Sequence, residues 1–189
     1  ISGDLPLPGE GVLVLDRAAY PAPATVAIRL IDFDLRTQST VEVLARSDAE
    51  PTGEPLVLTL AGSAGVFTGR VDIASGPAVP DGRLQVAHGQ EITVSYTDAS
   101  PAGTRVGRAL VDNVPPVISN IAASTRFGRL IVSWETDEDA DAVVEFGTSV
   151  TLGSAVTNRT LTTDHRIPVD GLNRNQTIFY RVRSRDVAG

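Results

Sequence analysis

Apolar and polar residues alternate along most of this chain, which is the period-two pattern of half-buried β-strands. In residues 25–31, for example, Val26, Ile28 and Leu30 share one face, while Arg29 lies on the other. Segments of this kind recur along the whole sequence, and clusters of Gly, Pro, Asp and Ser separate them. No segment keeps a helical period for three turns. The pattern therefore predicts an all-β protein.

Each predicted strand has one apolar face, so we expect the strands to pack as two-sheet sandwiches with one wet face per sheet. In the first part of the chain the predicted strands are 11–15, 25–31, 41–44, 56–60, 66–73, 84–87, 92–97 and 105–111. In the second part they are 117–123, 129–135, 142–147, 161–169 and 177–184. Asp81-Gly82 predicts a tight hairpin turn, and His88-Gly89-Gln90 predicts another short hairpin.

A domain boundary is predicted at residues 112–116, where Pro115 and Pro116 form a short, stiff linker. It divides the chain into residues 1–113 and residues 114–189. The expected fold is two tandem immunoglobulin-like β-sandwiches that sit end to end. The sequence stops after the predicted strand 177–184, so we expect the second sandwich to lack its last strand and to leave an open sheet edge.

Charge and composition exclude several classes of function. The chain has 189 residues and a net charge of −7, of which residues 1–113 carry −6 and residues 114–189 carry −1. A nucleic-acid surface would need a basic patch instead. There is no cysteine, which excludes disulfides and thiolate metal sites. No apolar run approaches the roughly 20 residues that span a membrane, so no membrane span is expected.

Two groups of aspartates suggest calcium ligands. Asp32 and Asp34 are two residues apart at a strand end, and with Asp98 or Asp16 they could bind Ca²⁺ through hard oxygens. The alternative is an Asp-rich turn that caps loop amides. This calcium site is the one cofactor that the sequence suggests.

The second group, Asp137, Asp139 and Asp141, alternates like the start of a calcium loop. The rest of that pattern fails, since Ala142 and Thr148 stand where Gly and Glu are needed. We therefore expect these aspartates at a charged hairpin tip between two strands.

Catalysis has little support in the sequence. The two histidines, His88 and His165, accompany no nucleophile elbow, and we interpret them as a turn residue and a strand-start residue. A carbohydrate-binding face would need exposed aromatic residues, whereas Trp134, Tyr180, Phe146 and Tyr96 fall at predicted inward positions. No catalytic residues are assigned, and the chain is not expected to be an enzyme.

Three arginines, Arg181, Arg183 and Arg185, alternate on the outward face of the predicted strand 177–184. One interpretation is an interaction edge for an anion or a partner. The other is cross-strand pairing with Glu145, which lies outward on the neighbouring predicted strand. The pairing interpretation is the simpler one.

The second half of the chain resembles bacterial fibronectin type III modules. Segments 118–121, 131–138, 144–149, 171–172 and 179–189 carry the resemblance. Trp134 matches the buried tryptophan of that family. The first half resembles a bacterial extracellular immunoglobulin-like repeat. Residues 14–17 with Tyr20, and residues 32–35, 47–54, 65–69 and 81–86, carry this second resemblance.

Both resemblances imply a spacer, docking or accessory role in a larger secreted or cell-surface bacterial protein. The expected location is extracellular, and the expected partners are other domains of the parent protein or a protein partner. Two alternatives stay open. One is a self-assembling subunit of a surface layer or filament that uses the open sheet edge. The other is an accessory domain beside a secreted hydrolase.

Overall fold

A computed structural model describes residues 9–62, 65–126, 129–173 and 175–189, and within them the chain is all-β, as predicted. The strands before residue 113 are β1 (Val12–Leu15), β2 (Ala19–Tyr20), β3 (Ala24–Ile31), β4 (Thr40–Arg46), β5 (Glu54–Leu60), β6 (Val66–Ser75), β7 (Arg83–Val86), β8 (Glu91–Ala99) and β9 (Ala102–Val111). After it follow β10 (Ile118–Arg126), β11 (Arg129–Gly147), β12 (Ser154–Val169) and β13 (Phe179–Arg183). A short 3₁₀ turn at Phe33–Leu35 follows β3.

The chain divides between Asn113 and Val114 into two compact units, the second of which extends to Val187. The immunoglobulin-like arrangement of each unit and the stiffening role of Pro115-Pro116 stay predictions. None of the helical structure in the described residues has the length and apolar character needed to cross a membrane.

In the first unit the strands pair in the order β1-β3-β6-β5-β4-β8-β9-β2, with β7 also on β6. The alternation of β3 survives in the structure, because Val26, Ile28 and Leu30 are buried and Arg29 is exposed. These inward side chains pack with those of β6, β8 and β9 into one large core. Tyr20 and Phe67 are the bulkiest of its side chains that are fully buried.

Two predicted hairpins of the first unit are wrong. β7 pairs with β6 in parallel, with Asp72 opposite Arg83, so the turn at Asp81-Gly82 does not join hairpin partners. β7 lies on β6, whereas β8 lies between β4 and β9, so residues 88–90 also join strands that are not paired with each other. Turn residues report where the chain bends, but the pairing of the strands depends on the rest of the sheet.

In the second unit β11 pairs with β10, β12 and β13. β11 corrects the predicted strands 129–135 and 142–147, because it is one strand of 19 residues. Its register shifts between Glu135 and Ala142, where the strand changes partners. The first half pairs with β10 and the end of β12, and the second half pairs with the start of β12 and with β13.

The predicted hairpin tip at Asp137, Asp139 and Asp141 is therefore wrong, since all three lie within β11. Near the shift in register, two of these carboxylates accept hydrogen bonds from backbone N–H groups. Asp137 accepts a hydrogen bond from the Val117 backbone N–H at 2.7 Å, and Asp141 accepts one from the Arg185 backbone N–H at 2.8 Å. Acidic residues that read as a turn in the sequence instead satisfy backbone donors beside a bulged strand.

The core of the second unit is small. Among the described residues its buried members are Val132, Trp134, Ala142, Val144, Ile167 and Val169. The Trp134 indole N–H donates to the Ser184 hydroxyl at 2.9 Å, which fixes the ring beside the end of β13.

Candidate docking edge

β13 is a sheet strand with one paired edge. Its register with β11 runs from Val143 opposite Arg183 to Gly147 opposite Phe179. In the described part of the chain β11 is the strand that pairs with β13, so no described strand covers the outer edge of β13. We call the outer edge of residues 179–183 the docking edge.

The residues whose backbone faces outward follow from the hydrogen-bond alternation of antiparallel strands. The Asp141 N–H donates to the Arg185 carbonyl at 2.7 Å, in line with the register of β11 and β13. Bonded and non-bonded pairs alternate along such a ladder, so Arg183 is the next residue bonded to β11. The N–H and C=O groups of Tyr180 and Val182 therefore lie on the docking edge.

The outward side chains of β13 pair across the strands, as the sequence predicts. The Arg181 guanidinium contacts the Glu145 carboxylate through Nε at 2.6 Å and Nη2 at 2.5 Å. Arg183 reaches the same carboxylate at 3.4 Å. The hydrogen bond from Arg181, with the charges of both arginines, lowers the pKa of Glu145 below its ordinary value. Arg185 contributes its backbone N–H rather than its side chain to Asp141.

A partly apolar groove lies beside the docking edge. It has a volume of about 490 Å³, and its wall combines the side chains of Leu130, Leu172, Ile178 and Tyr180 with the polar residues Asn173, Asn175 and Gln176. Ala123 and Thr125 of β10 also line it. A groove of this size next to a strand edge has the features of a site for an extended peptide.

The groove corrects the expectation that Tyr180 is fully inward. The side chain of Tyr180 is 37% exposed and that of Phe179 is 40% exposed. No neighbouring strand of the described chain covers them, which is why they stay open to solvent. The sequence held one signal for this, because two adjacent aromatics in a strand must point to opposite faces.

The predicted calcium candidates lie in the first unit. Asp32 and Asp98 are buried, and a Cβ placed on Gly11 would lie 3.3 Å from a carboxylate oxygen of each. Asp34 is exposed, and its backbone N–H donates to the Asp32 carboxylate at 2.9 Å. That bond confirms the alternative interpretation of Asp32 as a cap for loop amides.

Asp98 is already engaged by protein donors. It accepts hydrogen bonds from the backbone N–H groups of Gly11 (2.8 Å) and Ser100 (2.9 Å), and from Arg105 Nε (3.0 Å). Burial raises the pKa of Asp98, but these three donors outweigh burial and the net effect lowers the pKa. Arg105 supplies the positive charge that a cation would supply. This favours a structural role, and calcium binding stays a prediction that a calcium-dependent rise in melting temperature would support.

Tyr96 joins the buried carboxylate of Asp32 in a hydrogen-bonded network that lies beside Asp98. Its hydroxyl donates to the Asp32 carboxylate at 2.7 Å, and burial together with that bond raises the pKa of Tyr96 strongly. The network ties β3 to β8 inside the first unit, which is a structural task.

The two histidines occupy different settings. His88 lies in a turn, as predicted, and its Nδ1 accepts a hydrogen bond from the Asn113 backbone N–H at 3.2 Å. His165 corrects the expectation of a strand-start residue, because it is buried within β12 and stacks on Trp134 with ring centroids 4.9 Å apart.

The tautomer of His165 follows from its neighbours. His165 Nε2 lies 2.9 Å from the Thr136 hydroxyl, whose own proton goes to the Glu138 carbonyl at 2.8 Å. Nε2 therefore carries the proton, and the buried Nδ1 has no hydrogen-bond partner among the residues that the structure describes. Burial lowers the pKa of His165, although Asp141 and Asp164 oppose that effect. A buried, neutral and stacked ring supports the core rather than proton transfer.

No family model matches this sequence, and no curated protein matches it. Solved structures that match this chain include one described as a cytokine receptor complex. It shares 14% identity, covers 93% of this chain and 89% of its own, and has a TM-score of 0.33. DUF3823 family proteins also match. The one from Bacteroides ovatus shares 9% identity, with 92% and 91% coverage and a TM-score of 0.30. The one from Parabacteroides merdae shares 11% identity, with 95% and 90% coverage and a TM-score of 0.30. Likenesses of this size carry no argument about function.

Proposed function

We propose that this chain is a non-catalytic docking and spacer module of a larger secreted or cell-surface bacterial protein, and that it docks through the edge of β13. The edge of β13 that no described strand covers, beside a partly apolar groove, is the observation that carries the proposal. Unpaired backbone groups accept an added strand, and the groove accepts the side chains of that strand. The resemblance of the two halves to extracellular modules supports the proposed location.

The positions of the titratable groups support a non-catalytic role. His165 is enclosed in the core, and Asp98 is held by three donors. We expect the purified chain to turn over no chromogenic ester, glycoside or peptide substrate. Turnover that disappears in His88→Gln or His165→Gln would show a catalytic site and overturn this part of the proposal.

Hydrogen exchange tests the docking edge directly. In the free chain the amides of Tyr180 and Val182 should exchange rapidly, because they face outward. The amides of Arg181 and Arg183 should be protected, because they bond to β11. Slow exchange at all four residues would mean that the edge is already covered, and the proposed docking site would be lost.

Self-assembly is the second candidate function, and the exposed Phe179 and Tyr180 favour it. Light scattering at increasing concentration separates the two. A docking module stays monomeric with fast Tyr180 and Val182 amides. A self-assembling subunit gains mass as those two amides become protected.

A further inference from the structure

We propose that the strand which docks on β13 alternates apolar with acidic side chains, and that its acids lie opposite Arg181 and Arg183. The inference rests on the proposed docking function and names the chemistry of the partner. An added strand places each side chain on the same face as the β13 residue directly across from it. The two faces of β13 therefore specify two kinds of residue.

The inward face of β13 favours apolar side chains on the docked strand. Val182 packs against the core of the second unit, and Tyr180 forms part of the groove wall. Side chains opposite these two would extend over the groove between β13 and β10. Covering Leu172, Ile178 and the exposed part of Tyr180 would remove apolar surface from water, which favours docking.

The outward face of β13 favours acidic side chains on the docked strand. On this face Arg181, Arg183 and Arg185 lie opposite only two carboxylates of β11, those of Asp141 and Glu145. Glu145 is shared between two guanidiniums, and its contact with Arg183 is the longer at 3.4 Å. The three arginines therefore outnumber the carboxylates that lie opposite them on β11, and net positive charge remains on this face of β13. An acid on the incoming strand would complete the cross-strand pairing.

The same charges argue against a second copy of this chain as the occupant. Two β13 strands that pair antiparallel, with both apolar faces inward, place Arg181 opposite Arg181 or Arg183 whenever Val182 pairs with Tyr180 or Val182 of the second copy. Like charges directly across a strand pair are destabilising. Docking through this edge therefore favours a different, acidic strand.

Two labelled peptides test the inference by fluorescence anisotropy with the full chain. In the first, seven residues alternate valine with glutamate. In the second, lysine replaces each glutamate. We expect the glutamate peptide to bind at least about fivefold more tightly, from two opposite-charge pairs in place of two like-charge pairs. The net charge of −7 on the whole chain favours the lysine peptide, so a preference for glutamate reports the local arginines.

Matched variants and a modified peptide locate the effect. The double variant Arg181→Gln, Arg183→Gln should abolish the preference for glutamate. Arg159→Gln, which removes an exposed arginine on β12, should leave the preference unchanged. A glutamate peptide N-methylated at alternate residues should not bind, because it cannot complete the ladder. Higher salt should shrink the preference.

The outcomes separate this inference from the proposed function. Equal binding of both peptides, with protection of Tyr180 and Val182 amides, would overturn the acidic partner and keep the docking edge. Binding of neither peptide to a chain whose Tyr180 and Val182 amides exchange rapidly would overturn both. A preference for glutamate that survives the double arginine variant would place the acidic contact elsewhere and also overturn the inference.

Discussion

The two units differ in how much core their strands enclose. Among the described residues, the first unit has a core cluster of 18 buried hydrophobic residues, and the second has 6. The first unit also encloses a hydrogen-bonded acidic network around Asp32 and Asp98. The second leaves Phe179 and Tyr180 partly exposed along an open edge. A small core beside an open edge is the part of the molecule that an added strand would stabilise most.

The contrast predicts that the second unit is the less stable one. Its core depends on few side chains, so each contributes a larger share of the free energy of unfolding. A folded unit of 74 residues has a typical stability of about 4–11 kcal/mol. We therefore expect two transitions in calorimetry, with the second unit melting first.

Trp134→Ala should have the largest effect. The ring is 2% exposed, stacks on His165 and donates to Ser184, so its loss should cost about 3–5 kcal/mol. That is a large part of the stability of a small unit, and we expect its calorimetric transition to disappear or fall below 37 °C.

Phe67→Ala is the matched control in the first unit, where the side chain is 0% exposed. It should cost a similar free energy but leave a measurable transition, because the larger core retains its other members. If Trp134→Ala and Phe67→Ala lower the melting temperatures of their units equally, the difference in core size does not make the second unit less stable.

Tyr96→Phe should cost about 2 kcal/mol in the first unit alone. The change removes the donor to Asp32, a carboxylate that is 1% exposed. The transition of the second unit should not move. Ser95→Ala is the control on the same strand, because it removes a weaker bond of 3.3 Å to the Leu44 carbonyl. An effect of Ser95→Ala as large as that of Tyr96→Phe would remove the special role of the buried network.

Acid should separate the two units, because His165 and Asp98 titrate in different ranges. The folded pKa of His165 is depressed below 6.5, so its stabilising neutral form is fully present above that pH. Its contribution is lost as the pH falls from about 6.5 through the folded pKa. The pKa of Asp98 is lowered below 3.8, so the ionised carboxylate stabilises the first unit fully above that pH. This stabilisation is lost only as the pH falls from about 3.8 through the lower pKa of the folded state.

Calorimetry across this range checks the difference. Between about pH 6.5 and pH 5 the melting temperature of the second unit should fall, while that of the first stays nearly constant. His165→Gln should weaken this dependence. A second unit whose melting temperature is flat over that range would mean that His165 is not held neutral in the fold.

Much of this architecture follows from local pattern, and the exceptions have physical reasons. The alternation of Val26, Ile28 and Leu30 predicts β3 because a buried sheet face requires period two. The same pattern does not predict β11 as one strand. Asp137 and Asp141 are typical of a turn, but they accept hydrogen bonds from backbone N–H groups within a continuous strand. The parallel pairing of β7 depends on the whole sheet, and turn chemistry near Asp81 does not encode it.

The candidate site divides in the same way. Alternation on one strand, together with Glu145 on the neighbouring strand, predicts the arginine pairing. The groove depends on Leu172 and Ile178, which lie outside regular strands, meeting β10 from a distant part of the sequence. These residues come together only when the strands pack, so no local sequence pattern predicts the groove.

The smallest effect compares one hydroxyl in each unit. Tyr20→Phe removes the donor to Asp16 at 2.5 Å and the acceptor of the Arg17 backbone N–H at 3.0 Å. Ser184→Ala removes the acceptor of the Trp134 indole N–H. Each should cost about 1 kcal/mol, because a partly buried bond is lost.

Equal free energies should produce unequal shifts in melting temperature, because the entropy of unfolding scales with chain length. Ranges of 113 and 74 residues give expected shifts of about 4 °C for Tyr20→Phe and about 6 °C for Ser184→Ala. Chemical denaturation should return the same free-energy change for both variants. If the shifts in temperature are equal instead, the two units unfold together as one cooperative body, and the smaller core is not an independent point of weakness.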